Sequence, residues 1–249
     1  MNKRAAIIGA GVSGLSAAAF LAREGFEVSV IEKNTMPGGR ARKFSAKGFT
    51  FDMGPSWYWM PDVIDKFFAA FGQKTSDYYE LKRLDPSYKV FFGRDDFVEI
   101  PSSAEETIAL FESIEKGAGA KLNQFLKEAE RKYEIGINEF ATKPSHSVTE
   151  FMEWRLVKHL FAMHLFRSFH SHVARYFKNP RIHRLLEFPI IFLGGTGQTT
   201  PALYSLMNYG DLKLGTWYPM GGIYQLVDAM HKLAIEMGAG FHFETEVKE

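Results

Sequence analysis

Residues 4–32 read RAAIIGAGVSGLSAAAFLAREGFEVSVIE. Arg4 to Ile8 is a short apolar run ending in two isoleucines, the pattern of a buried parallel strand. Gly9, Gly11 and Gly14 follow at GxGxxG spacing, and helix formers from Leu15 to Ala22 come directly after them. Gly25 sits where a left-handed C-cap would end that helix. Glu27 to Ile31 reads as a second strand, with Glu32 at its C-terminal end. Strand, glycine turn, helix, strand and acid make one βαβ unit. Each part has a physical task. Gly9 permits the tight turn, Gly11 lets the backbone approach a pyrophosphate, and Gly14 lets helix and strand pack closely. Val12 and Ser13 open the helix, whose N-terminus stabilises an anion. Glu32, 18 residues after Gly14, suits ribose hydroxyls and would repel a 2′-phosphate. The alternative is a βαβ unit whose glycines serve packing alone.

Other glycine clusters lack this context. GAG recurs at 117–119 and 238–240, where the neighbouring sequence makes the glycines helix caps. GGTG at 194–197 is followed by Gln198 and two threonines, without the lysine that an ATPase-type phosphate loop needs.

After Glu32 the chain reads KNTMPGGRARKF. Pro37, Gly38 and Gly39 forbid a second crossover helix and free the backbone for close approach. Arg40 offers a planar donor set for phosphate, or else it is a solvated charge in a run with Arg42, Lys43 and Lys47. The segments GAGVSGLSAAAFLAREGFEVSVIEK, PGGRA and GFTFDMGPS resemble the N-terminus of FAD-containing flavoproteins of the amine-oxidase and carotenoid-desaturase type. The resemblance implies an α/β, Rossmann-like FAD-binding domain with an inserted α+β substrate region. It also implies Glu32 on the adenosine ribose, Gly38, Gly39 and Arg40 along the pyrophosphate, and the turn at Gly54, Pro55 and Ser56 beside the isoalloxazine ring.

Phe49, Phe51 and Met53 alternate with polar or small residues, so they predict a strand with one apolar face. Asp52 is a candidate acid, though a turn-organising carboxylate is favoured. Trp57, Tyr58 and Trp59 fit either core or the wall of an apolar cavity. Residues 88–100 predict a hairpin around Gly93 to Asp96. Ser103 to Glu106 and Ser147 to Glu150 have capping-box patterns. The first opens a helix closed by Gly117, and a second helix spans about Lys121 to Phe140.

The helix expected after Ser147 carries Val157, Phe161, Leu165, Phe169, Val173 and Phe177 at every fourth position. From Trp154 to Leu186 there is no acid, while Arg155, Lys158, Arg167, Arg175, Lys178, Arg181 and Arg184 are basic. Such a helix is either an interfacial membrane segment or a core helix with a solvated basic face. His159, His164, His170 and His172 invite a metal reading, but no carboxylate accompanies them, so no metal site is expected.

The segment GTWYPMGGIYQLVDAMHKLAIEMGAGFHFETEVKE predicts a strand through Trp217, the glycine pair Gly221 and Gly222, an amphipathic helix, and a strand from Phe241 to Val247. It resembles bacterial-type phytoene desaturases. The resemblance implies FAD-dependent desaturation of a linear carotenoid precursor, an apolar polyene substrate, and adenine contact at the Val247 backbone. Within the superfamily an amine oxidase, a carotenoid isomerase or a ketolase is an alternative. A non-catalytic lipid carrier of related fold, as in Rab GDP-dissociation inhibitors, is another. Members of the family are about twice as long, so the chain reads as an N-terminal piece. Its expected division is a FAD-binding domain of residues 1–85 and 215–249 and a substrate region of residues 86–214.

Composition narrows the classes further. Hydrophobic residues make up 46% and charged residues 24% of 249 residues, ordinary for a globular protein. A net charge of +1 gives no field that would select nucleic acid. There is no cysteine, so disulfides and thiolate chemistry are excluded. Lys3 and Arg4 before an apolar run imitate a signal peptide, but the glycine spacing and the strand that follows oppose it. No stretch has 18 uninterrupted apolar residues, so no spanning helix is expected. A cytoplasmic protein, peripheral on the inner face of a membrane, is the expected location. The 23 phenylalanines fit a large apolar site or simply an aromatic core.

Overall fold

The computed structural model describes residues 3–137 and 166–248. The chain divides into two compact units, residues 1–82 with 217–249, and residues 83–216.

The first unit holds the expected βαβ arrangement. β1 (Arg4–Ile8) pairs in parallel with β2 (Glu27–Ile31), and α1 (Val12–Arg23) connects them. Leu15, Ala18, Ala19 and Ala22 recur on one face of α1 and are buried against Val28 and Val30. That face is an i, i+3, i+4, i+7 stripe. Gly25, at φ 82°, ends the helix as expected. β3 (Arg42–Ala46) and β4 (Phe49–Met53) form an antiparallel hairpin. Lys47 and Gly48 turn it, both at positive φ, the backbone of a type I′ turn. α2 (Pro61–Ala69) follows, and β5 (Leu81–Arg83) leads out of the unit.

The second unit opens with the predicted hairpin of β6 (Tyr88–Phe91) and β7 (Phe97–Ile100). Ser103 caps α3 (Ala104–Ile114), its Oγ accepting the Glu106 N–H at 3.3 Å. Gly117, at φ 82°, stands between α3 and α4 (Ala118–Ile135). The described residues continue with α5 (Phe169–Val173), α6 (Pro180–Glu187) and α7 (Leu206–Leu212). Phe111, Leu122, Phe125 and Leu126 pack with Phe169, Val173, Phe177 and Leu186 in one core.

The chain returns to the first unit through β8 (Trp217–Pro219), whose Trp217 N–H donates to Tyr58 O at 3.0 Å. α8 (Tyr224–Glu236) buries Val227, Met230 and Leu233 in the core that α1 also lines. β9 (Gly240–His242) then adds in parallel to β2, giving the order β1-β2-β9.

Three expectations are corrected. The basic stretch is not one helix over its described part: Ser168 starts α5, and Asn179 with Pro180 starts α6. Asn179 Oδ1 accepts the Arg181 N–H at 2.9 Å, and a residue before proline avoids helical backbone. The capping pattern at Ser147 and residues 154–165 lie outside the described residues. β1 is not buried but an edge strand, with Ile8 73% exposed. The β4 strand forms as expected, and Phe49, Phe51 and Met53 on its apolar face are all exposed, as is Phe44 beside them. The strand expected to reach Val247 stops at His242, because Glu244 takes φ 53°.

Candidate functional site

The glycine turn between β1 and α1 is built by close backbone approach. Gly9 has φ 98°, and its N–H donates to Ile31 O at 2.8 Å. A Cβ on Gly14 would lie 2.0 Å from Gly9 O, so no other residue fits there without moving the turn. Gly11 is different: its φ is −73°, and a Cβ there would only reach van der Waals contact with Gly39. The space beside it is open. No side chain caps the first turn of α1, and no acid lies in that turn. Val12 and Ser13 are exposed. This is a helix N-terminus left ready for an anion.

The PGGR segment folds onto this turn. Gly38 and Gly11 form an isolated parallel bridge, with the Gly38 N–H donating to Ala10 O at 2.7 Å. Gly38 takes φ 118° and Gly39 φ 56°. A Cβ on Gly39 would sit 3.3 Å from the Gly11 Cα. Gly54, at φ 121°, backs onto the same loop, where a Cβ would lie 2.3 Å from Arg40 O. The glycine turn, Gly38 with Gly39, and Gly54 are therefore brought together, although they are far apart in the chain. Pro55 and Ser56 follow at the surface. Arg40 is exposed, and its guanidinium has no hydrogen bond or ion pair among the described residues.

Glu32 is 4% exposed and is already engaged. Its Oε2 accepts the Ala10 N–H at 2.8 Å, and its Oε1 accepts the Asn34 N–H at 2.9 Å and the Asn34 side-chain amide. Burial pushes its pKa up, but those hydrogen bonds and the charge of Arg42 outweigh that and hold it below its ordinary value. A carboxylate accepts about four hydrogen bonds, so roughly one acceptor direction is left for a ribose hydroxyl. Glu32 thus organises its own loop as well as facing a ligand.

Asn34 and Arg42 were not singled out by their spacing. Arg42 Nη1 donates to Asn34 Oδ1 at 2.6 Å and its Nε to Gly39 O at 2.8 Å. That guanidinium, not Arg40, ties the acid to the glycine loop. The signal for Asn34 was its position two residues after the acid, where a side chain readily bonds back to a neighbour. Beyond β9, the Thr245 N–H donates to Glu32 O at 3.0 Å and the Glu244 N–H to Asn34 O at 3.1 Å. These bonds bring the approach to Val247, itself 44% exposed, alongside the acid.

Asp52 is a turn-organising carboxylate with a distant partner. Its Oδ2 accepts the Ile223 N–H at 2.8 Å and its Oδ1 the Tyr224 N–H at 3.0 Å, at the start of α8. Tyr58 is core: it is 4% exposed, and its hydroxyl lies 2.6 Å from that of Tyr79. Trp57 and Trp59 are half-buried.

The backbone cradle, the uncapped helix end, the free Arg40 and the remaining acceptor of Glu32 fit the ADP portion of a flavin dinucleotide. A cradle of this kind has no use for side chains, and five of its glycines, all but Gly11, could not accept a Cβ without strain.

Residues 12–249 match the family described as flavin containing amine oxidoreductase. A carotenoid 3,4-desaturase from Haloarcula japonica is 40% identical over 244 residues, 98% of this chain and 49% of the relative. A zeta-carotene-forming phytoene desaturase from Myxococcus xanthus is 33% identical over 247 residues, 99% of this chain and 48% of the relative. The chain therefore spans about half the length of the curated relatives it matches. Among solved structures, cyclohexylamine oxidase from Brevibacterium oxydans has a similar fold, with a TM-score of 0.58 at 18% identity, over 98% of this chain and 51% of that one.

Proposed function

The chain belongs to the flavin containing amine oxidoreductase family, and we propose that it is the nucleotide-binding part of an FAD-dependent carotenoid desaturase. The observation that carries the reading is the 40% identity with a carotenoid desaturase along nearly the whole chain, on a backbone that fits the cofactor.

Bound FAD supplies a two-electron acceptor for dehydrogenation of a C–C bond. The residues here bind and orient it. The N-terminus of α1 would hold the diphosphate beside Gly11, where absence of a side chain permits close approach. Arg40 adds a cation from the facing loop. Glu32, held ionised, would accept from the ribose, while Asn34 and Arg42 keep it in place. Asp52 keeps the β3–β4 hairpin on α8. That hairpin carries Phe44, Phe49, Phe51 and Met53 outward immediately before Gly54, which supports a hydrocarbon rather than an amine as substrate.

The test compares two proteins: the 249-residue chain, and the same chain completed with the C-terminal half of a desaturase relative. Flavin absorbance after gel filtration reports the cofactor, and chromatography of polyenes formed from phytoene reports the reaction. A yellow completed protein that lengthens the conjugated system supports the reading. Oxidation of amines instead, or a colourless protein that carries the lipid unchanged, would overturn it in favour of an amine oxidase or a carrier.

A polyene is delivered from lipid, so we also propose peripheral membrane contact. Among the described residues no helix is long and apolar enough to cross a membrane. The apolar stripe of the basic stretch is consumed by the core at Phe169, Val173 and Phe177. Arg175, Lys178 and Arg184 remain exposed, as do Ile191, Phe192 and Leu193. Each basic residue near an anionic surface contributes about 1 kcal/mol. Replacing Arg175 and Lys178 with Gln should weaken sedimentation with phosphatidylserine vesicles, as high salt should. Wild-type protein that ignores such vesicles at low salt would exclude the contact.

A further inference from the structure

The second unit brings together three residues that the proposed cofactor site does not use. His183 and Glu187 stand one turn apart on α6, so they share a face of that helix. His170, on α5, places Nδ1 2.7 Å from Glu187 Oε1. Its ring centroid is 5.5 Å from that of His183. One potential ligand atom from each of the three lies within 4.8 Å of the other two, and all three are half-buried.

The surroundings hold them there. His183 Nε2 is 2.8 Å from Phe177 O. A carbonyl can only accept, so Nε2 carries the hydrogen and Nδ1 keeps the lone pair. Fixing one ring nitrogen on a backbone carbonyl is how histidines are oriented for metals. The unassigned GGTG run supplies the other wall. Gly197 O accepts the His170 N–H at 2.8 Å, and a Cβ at Gly197 would fall 2.7 Å from Glu187 Oε2. Glycine there leaves room for the carboxylate. The carboxylate missing from the acid-free stretch is the residue that follows it, Glu187.

We infer that His170, His183 and Glu187 bind a divalent first-row transition ion of borderline softness, with zinc as the reference. Two imidazoles and one carboxylate suit such an ion and not magnesium or calcium, which take oxygen ligands. Zinc bonds of about 2.0–2.1 Å set tetrahedral ligand atoms ~3.4 Å apart. The three ligand atoms already lie within 4.8 Å of one another. The fourth position is left to water, and the ion ties α5 to α6.

Zinc and cobalt are titrated separately into the metal-stripped 249-residue chain. Competition with a chromophoric chelator reads zinc affinity, and visible d–d absorption reads the cobalt geometry. One ion per chain is expected, with a rise in melting temperature that a chelator reverses. His183→Ala and Glu187→Gln should each weaken zinc at least tenfold and alter the cobalt bands. Glu187→Gln can still accept from His170, so loss of binding in that variant separates ligation from simple pairing. The chain has eight histidines. Zinc binding that both substitutions leave unchanged puts the ion elsewhere and overturns the site, as does wild-type protein that binds none at about 100 µM.

Discussion

Asp52 on β4 accepts the backbone N–H groups of Ile223 and Tyr224, at 2.8 and 3.0 Å, across 171 and 172 residues of chain. It is the N-terminal cap of α8, delivered from another element. A Cβ on Gly222 would lie 2.9 Å from its Oδ2, so the glycine pair before the helix makes room for the carboxylate. Hydrogen bonds to charged groups are worth ~1.5–3 kcal/mol and helix caps ~0.5–2 kcal/mol. Asp52→Ala should therefore lower unfolding free energy by ~2–3 kcal/mol in urea titrations. Asp52→Asn, which keeps one acceptor, should lose about half as much. Equal losses would mean that packing rather than capping is at stake.

The glycines of the first turn divide by role, and the division can be measured. Gly14→Ala drives a methyl against Gly9 O, and overpacking costs ~1–3 kcal/mol. It should lower the melting temperature and FAD retention together. Gly11→Ala meets nothing closer than 4.0 Å and keeps an ordinary φ. It should leave the melting temperature within about a degree while weakening FAD at least tenfold in a completed protein, because the methyl occupies the space beside the helix end. Similar effects of the two substitutions on stability would contradict the division.

The nucleotide end was legible because its signals are local. GxGxxG, the apolar stripe of α1 and the acid after β2 all lie within one βαβ unit, where spacing fixes geometry. What was not legible depended on pairings that spacing does not encode. The partner of Asp52 is on another element. The role of Arg42 was hidden because Arg40 and Arg42 look alike in a basic run, and only the folded loop distinguishes which one meets Asn34. The fourth-residue period through Phe169, Val173 and Phe177 suggested one helix. The three do face inward together, but Asn179 and Pro180 break the backbone after them. Glu187 meets His170 only in the folded chain, and it lies one residue beyond the acid-free stretch. The exposed β4 row followed its alternation faithfully; alternation gives a face, not what covers it.

Lys132 is 2% exposed and donates from Nζ to Ser205 Oγ at 3.0 Å and Ala202 O at 3.2 Å, with Glu128 Oε1 2.7 Å away. Tyr176 donates to Glu128 Oε2 at 2.8 Å. Burial would raise the Glu128 pKa, but Lys132, Tyr176 and His172 hold it down to about 2. A folded pKa below the ordinary 4.5 means stability is present above about pH 4.5 and lost as pH falls toward 2. Glu128→Gln leaves the ammonium buried without its counter-ion, so it should cost ~3–5 kcal/mol at neutral pH. Lys132→Met removes the charge that is hardest to bury and should cost less. If Lys132→Met were the more damaging of the two in calorimetry, the pair would not be governed by burial of its cation.

Asp211 on α7 titrates the other way. It is 2% exposed, with the Tyr88 hydroxyl on Oδ2 and Thr216 Oγ1 donating to Oδ1 at 3.2 Å. Burial pushes its pKa up to about 7, against the pull of those two hydrogen bonds. The unfolded chain releases this proton near the ordinary 3.8, and the folded chain keeps it until about 7. Between those values the folded state holds the extra proton, so its stability falls as pH rises, by at most ~1.4 kcal/mol per pH unit. Above about 7 the effect levels off. Most of this window lies above the one set by Glu128, so the two can be separated above about pH 4.5. Asp211→Asn has no proton to lose, and its melting temperature should drop less than that of the wild type between about pH 5 and pH 8. Parallel curves for the two proteins would mean that Asp211 is ionised throughout that range and that its burial is offset within the fold.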